Sequence, residues 1–275
     1  MSEIVLRTIS GVLYVSIIIL AMFASREWFL GLFFMMAILT VNEFVKLVRV
    51  PSIFAYLVLI LAFYFIGWNE FPVQGVKLFL VLTIFVNSYL LKDLLWTNKI
   101  QIFENRKHIL TYFYIIGGFV FLTLIPTINN DFSPHLIIFV FVLIWANDTF
   151  AYLIGKSFGK HKLLERISPK KTIEGFFGGM TGAIIAGLVI YFLTNQSEYM
   201  EKPLDNLWVW IVLAVIIAIF GTIGDLIQSK IKRQAGVKDS GTIMPGHGGI
   251  YDRLDSIIYA SPFVYAFLLI ANYVS

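Results

Sequence analysis

The chain has 275 residues, 59% of them hydrophobic and 14% charged, with no cysteine and a formal net charge of +4. That balance lies outside the range of a soluble domain, and the missing thiols exclude disulfides and cysteine-held metals. Apolar runs of seventeen or more residues recur along the sequence. They are continuous rather than alternating, which excludes an outer-membrane barrel and leaves an all-α, polytopic helical integral membrane protein.

Nine spans are predicted in chain order, at about 9–25, 28–48, 53–69, 75–92, 110–128, 134–154, 173–194, 207–226 and 256–273. The first run, Ile9 to Ala24, follows Arg7 as a signal peptide would, but a second run begins almost at once, so the first is a retained span. Polar residues, glycine and proline punctuate the gaps, at Trp68-Asn69-Glu70 and Pro72, at Asn129-Asn130-Asp131, and from Ser197 to Pro203. Residues 1–128 form an N-terminal membrane region of about five spans. Residues 129–275 are expected to form a C-terminal membrane region of about four, with polar inner loops at 155–172 and 227–255. No internal repeat or low-complexity linker is present.

Lys and Arg set the orientation. With the N-terminus inside, 18 of the 21 basic residues fall on the inner side, leaving Arg26, Lys77 and Lys202 outside. An odd number of spans then places the C-terminus outside. The net positive charge is mostly this inside bias and calls for no nucleic-acid partner; the basic loops suit anionic lipid headgroups.

The sixth span ends Trp145-Ala146-Asn147-Asp148, with Asp148 about two turns inside the apolar run. The basic loop that follows, Gly155 to Gly175, superficially suggests a phosphate-binding loop at Gly155–Lys160. Its spacing does not fit GxxxxGK[ST] and no strand precedes it, and inside-positive signalling is the competing explanation for its Lys and Arg residues. The second polar loop is harder to explain away. Between Ile219 and Ser256 nine charged side chains separate two spans, where charge near lipid is costly. On a continuing helix, Ser229 and Lys232 return to the face of Asp225. Gly246-His247-Gly248-Gly249 makes a tight turn whose amides can cradle phosphate oxygens. Asp252 and Asp255 open the last helix, where capping is the competing explanation. Carboxylates on three span ends, set among Lys and Arg, suit a divalent cation with a polyphosphate. Phosphoryl or nucleotidyl transfer needs little else from the protein.

In these residues the chain resembles the phosphatidate cytidylyltransferase (CDP-diglyceride synthase) family. Ser229, Lys232, Arg233, Lys238, Asp239, Gly241, Gly246, His247, Gly248, Gly249, Asp252, Arg253 and Asp255 stand in register with the family signature, without departure. Asn147-Asp148 through Lys160, and Ser168 through Gly175, resemble its other inner-loop blocks. The similarity is carried by residues 145–256; the first four spans match only in being hydrophobic.

The resemblance implies transfer from CTP to phosphatidic acid, giving CDP-diacylglycerol and pyrophosphate with Mg2+, the number of cations being left open. Asp225 and Asp252 are expected to bind the metal, with Asp148 facing the same cavity. Lys232, Arg233 and Arg253 are expected to hold the triphosphate, and His247 to donate a hydrogen bond from the glycine turn. Ser168, Lys170 and Lys171 are expected at a lipid or nucleotide phosphate, and Ser229, Lys238, Asp239 and Asp255 around the substrates. The compact length points to a bacterial inner membrane with the site on the cytosolic side, and the apolar surfaces and the resemblance to a homodimer among membrane lipids. Two rival readings stay open. A CTP-dependent lipid kinase would release CDP and a lipid phosphate. An ion-coupled transporter would use Asp148 and Asp225 as a cation path, but needs polar groups near the midplane.

Overall fold

A computed structural model describes residues 3–50, 53–69, 72–100, 107–129, 131–194, 204–244, 246 and 248–274. Among these residues nine helices follow one another, and each overlaps a predicted span. They are α1 (Glu3–Ala24), α2 (Arg26–Val48), α3 (Ile53–Trp68), α4 (Val73–Trp96), α5 (Lys107–Thr127), α6 (Pro134–Phe158), α7 (Ile173–Thr194), α8 (Leu207–Gln234) and α9 (Tyr251–Val274). Seven of them, all except α1 and α3, are long and apolar enough to cross a membrane. Large apolar side chains point outward along the bundle, among them Leu20, Phe85, Phe192 and Ile270. That pattern is unfavourable in water and ordinary in lipid. The chain is a multi-pass membrane protein.

The structure departs from the sequence reading in three places. Residues 155–172, expected as a loop, contain an antiparallel hairpin of β1 (Lys162–Leu164) and β2 (Ser168–Thr172), so the all-α description has one small exception. The apolar run of α8 stops near 226, but the helix continues through the polar residues to Gln234. α9 begins at Tyr251, five residues before its apolar run. In each case the hydrophobic signal ends at the edge of the lipid phase, whereas backbone hydrogen bonding does not.

Local chemistry sets several of the ends. Ser25 caps α2 by accepting from Trp28 N at 3.3 Å, and Asn206 caps α8 by accepting from Trp208 N at 3.0 Å, each satisfying a donor that the helix leaves unpaired. α5 widens into a π-helical turn over Leu110–Ile116, and within that turn the hydroxyl of Tyr114 lies 2.9 Å from that of Tyr251, the first residue of α9.

Glycine governs the pairing of α6 with α7. Gly175, Gly178, Gly179 and Gly182 form a ridge on α7 against Asn147, Phe150, Ala151 and Ile154 of α6. A Cβ at Gly178 would stand 2.5 Å from Ile154, and one at Gly179 would stand 2.7 Å from the Asn147 carbonyl oxygen. Small residues of this kind let helix backbones approach where lipid supplies no hydrophobic drive. The close approach carries Asp148, on α6, to the mouth shared with α8 and α9.

Candidate active site

One end of the bundle opens into a cavity of about 730 Å3. Its walls are the C-terminal half of α6, the β1–β2 hairpin, the start of α7, α8 from Thr222 to Lys232, Asp239, and the first turns of α9. Asp148, Lys170, Lys171, Asp225, Lys232, Asp239, Asp252, Arg253 and Asp255 all line it, so segments up to 107 residues apart in sequence meet there.

Two carboxylates in this cavity are held in opposite ways. Asp225 is about one-third exposed; its Oδ2 lies 2.5 Å from Lys171 Nζ, and its Oδ1 accepts from Ser229 Oγ at 3.3 Å. That last bond is the i, i+4 geometry expected on a continuing helix. The charges of Asp148, Asp225 and Asp255 act on one another and on Lys171, so three carboxylates and one ammonium share a local field. Asp148 itself opens toward the cavity and accepts from Asn147 Nδ2 at 3.2 Å.

Asp252 is 6% exposed and its oxygens are fully engaged. Its Oδ1 receives Lys232 Nζ at 2.7 Å and Gln228 Nε2 at 3.0 Å. Its Oδ2 receives Ser240 N at 2.8 Å, Ser240 Oγ at 2.9 Å and Gly249 N at 3.0 Å. Five donors on one carboxylate fasten α8, the 237–250 loop and α9 together. Gly248, at φ +90°, lies so close that a Cβ there would stand 2.7 Å from Asp252 Oδ2. Glycine at 248 thus answers both a left-handed backbone and a lack of room.

The remaining expected residues are dispersed. Arg233 faces away from this cavity, lines a separate one and donates to the Val237 carbonyl at 3.3 Å. Successive residues on a helix point about 100° apart, so Lys232 and Arg233 cannot both face the same side of α8. Ser168 opens β2 half-buried, and Lys238 is exposed on the loop; neither lines the cavity. Gly246, at φ +76°, stands at the tip of a turn closed by two backbone hydrogen bonds between Met244 and Gly248. His247 lies outside the described residues.

Glu43, on α2, belongs to the region that resembles the family only in hydrophobicity, yet it reaches the signature loop. It is 3% exposed. Its Oε1 accepts from Ile250 N at 3.0 Å and its Oε2 from Tyr251 N at 3.0 Å, while Ser240 Oγ lies 2.8 Å from Oε2, so that the single proton of this hydroxyl is shared between Glu43 and Asp252. A Cβ at Gly249 would fall 2.2 Å from Glu43 Oε2, so Gly249 is the space into which this carboxylate fits. The sequence signal that marks Glu43 is its standing as the sole acidic residue of the 28–48 run, because an ionisable group within a span is a functional candidate by default.

The model of the cytidylyltransferase family matches residues 5–271. The chain belongs to the cytidylyltransferase family. Across 270 residues it is 31% identical to the phosphatidate cytidylyltransferase of Staphylococcus haemolyticus, covering 96% of this chain and 98% of the relative. The Staphylococcus epidermidis phosphatidate cytidylyltransferase is 32% identical over 243 residues, covering 86% of this chain and 88% of that one. The Staphylococcus aureus protein of the same name is 44% identical over 135 residues, 49% of each chain. The family match extends over all nine helices, well beyond the residues that carry the signature, and the relatives fit a bacterial multi-pass membrane protein.

Proposed function

We propose that this cytidylyltransferase couples CTP to phosphatidic acid, giving CDP-diacylglycerol and pyrophosphate. The observation that carries the reading is the single cavity in which Asp148, Asp225 and Asp255 meet six cationic side chains from the hairpin and from α6, α8 and α9. Its volume falls within the range of ligand sites. An oxygen of the phosphatidate phosphate, already anionic, attacks the α phosphorus of CTP. A P–O bond forms there as the bond to the β phosphate breaks, and pyrophosphate leaves with the electron pair. No protein nucleophile is needed, so the work falls to positioning and charge neutralisation.

Lys170, Lys171 and Arg253 line the cavity with donors for phosphate oxygens. Lys232 serves differently, holding Asp252 and through it the loop. The donor set also fits a divalent cation. Among the described residues no group of three acidic or histidine side chains is arranged to hold a metal by itself; Mg2+ takes one or two carboxylates and completes its shell with phosphate and water. Asp225, with Asp148 and Asp255 across from it, is the carboxylate that would hold it, Lys171 giving way. Asp252 would have to release several donors first. When bound, such an ion supplies Lewis-acid stabilisation of charge on the transferring phosphate.

Labelled CTP and phosphatidic acid given to the purified protein, with and without Mg2+, test the reaction. CDP-lipid and pyrophosphate are expected. Release of CDP with a phosphorylated lipid would instead establish the kinase reading, and no turnover of either kind would remove both.

For the topology, we propose nine crossings with the N-terminus and the site on the cytosolic side. The distribution of Lys and Arg supports this, as does the cytosolic supply that a nucleotide substrate requires. A reporter fused after Ser275 is expected to sit on the outer side, and a cytosolic signal would break the nine-crossing arrangement.

A further inference from the structure

Two sides of the carboxylate cavity differ in their chemistry. Its ion pairs, Lys171–Asp225 and Lys232–Asp252, both close on carboxylates of α8 and α9. Lys156, in the last turn of α6, and Lys162 and Lys170, on the hairpin, line the same cavity. Among the described residues these three enter no ion pair with a carboxylate. The wall they form lies within residues 131–194, which are described without a break.

Its lysines are held in place without being neutralised. The Lys156 ammonium lies 5.7 Å from the ring centre of Tyr152, one turn earlier on α6, an attraction that leaves its N–H donors for another acceptor. Lys162 Nζ donates to the Pro169 carbonyl at 2.6 Å across the hairpin and, with three N–H groups, keeps two. Glu174, in the first turn of α7, is taken up by His161 Nδ1 at 2.6 Å and by the backbone amides of Lys160 and His161. It therefore anchors the entry to the hairpin, and Thr172 Oγ1, accepting from Gly175 N at 3.1 Å, anchors the exit.

What lies behind each side differs too. Beside the lining residues of α8 and α9, Ile227, Tyr251, Leu254 and Ile257 are buried in the bundle. Beside those of α6 and α7, Leu153 and Phe177 are exposed, and Tyr152 is itself 64% exposed. Only a helix pair thus separates this wall from the surface that meets acyl chains. Asp148, Tyr152 and Lys156 follow at four-residue intervals, a stripe that climbs about 12 Å along α6. It ends in a last-turn lysine beside an aromatic ring, the pairing that reaches lipid headgroup level.

We propose that Lys156, Lys162 and Lys170, with Tyr152, form the subsite for the phosphate of phosphatidic acid, and that the triphosphate of CTP keeps to the α8–α9 side. A lipid phosphate is tethered to its acyl chains at the interface and needs cations there, whereas a triphosphate with its cation needs the carboxylates. The assignment rests on phosphatidic acid being the substrate.

The test places the full chain in nanodiscs of phosphatidylcholine with phosphatidic acid as a minor component, without CTP or divalent cation, and reads retained lipid by native mass spectrometry. Lys156→Gln is expected to weaken retention of phosphatidic acid about fivefold, and Lys156→Gln with Lys170→Gln on the order of tenfold or more. Lys156→Arg is expected to keep it. So is Lys92→Gln, which removes a lysine set over Tyr89 outside this cavity. In mixed micelles Lys156→Gln is expected to raise KM for phosphatidic acid about fivefold and to leave KM for CTP within about twofold. A rise confined to CTP, or retention by the double variant at the level of the unmodified chain, overturns the assignment. Because retention is read without turnover, the two readings fail separately. Weakened retention in the variants of a chain that makes no CDP-lipid sustains the subsite and removes the reaction; unchanged retention beside normal CDP-lipid formation does the reverse.

Discussion

Asp225→Asn is expected to lower CDP-lipid formation by about 10²–10³-fold while leaving the protein inserted and as thermally stable as before. The carboxylate is about one-third exposed to the cavity, and among the described residues its ion-pair partner is Lys171. Losing the negative charge removes the group best placed for a divalent cation without orphaning a buried donor. Asp252→Asn makes the contrast. Its carboxylate receives five donors, and an amide in its place would turn an N–H toward some of them. A stability loss of about 1–3 kcal/mol is expected there, together with the loss of activity. Thermal unfolding in detergent, run beside the CTP assay across a Mg2+ titration, separates the two roles. Near-normal turnover by Asp225→Asn would take it out of the cation site, and equal stability of both variants would remove the fastening role of Asp252.

Glu43→Gln is expected to reduce turnover by at least about tenfold, although the residue sits on α2 and touches no substrate group. The amide can keep one acceptor but must point its NH2 at Ile250 N, Tyr251 N or Ser240 Oγ, and it withdraws a negative charge from the N-terminal end of α9, an interaction worth up to about 2 kcal/mol in partly buried settings. Glu43 is a positioning residue, and the loop it holds is the readout. Proteolysis within residues 237–250 should quicken in Glu43→Gln, and Glu43→Asp, which restores the charge at a shorter reach, should recover part of both activity and protection. Loss of overall stability with unchanged loop cleavage and no recovery by Asp would reduce Glu43 to a core contact.

Much of the architecture is legible in the sequence because lipid imposes it. Twenty or so apolar residues in a row have few options other than a helix, which is why all nine runs overlap helices. Helix ends and the hairpin at 162–172 were less legible, since beyond the lipid phase hydropathy no longer reports on hydrogen bonding. In the candidate site, the spacing of Asp225, Ser229 and Lys232 was enough to place Asp225 and Ser229 in contact. It was not enough to show that Lys232 turns instead to Asp252, which only the return of α9 makes available.

Arg233 shows the limit most clearly. A linear motif groups Lys232 with Arg233, whereas a helix sends neighbours to different faces, and so to different cavities. Glu43 shows the converse, for nothing within 200 residues of sequence says that its carboxylate meets Gly249. By itself the sequence determined a polytopic helical protein, the segments that carry its charge and the family whose signature those segments bear, because composition, period and motif are local properties. Only the tertiary structure decided which carboxylate is open to a ligand and which is bound up as a fastener. That depends on donors brought from other helices, and burial counts neighbours in space rather than along the chain.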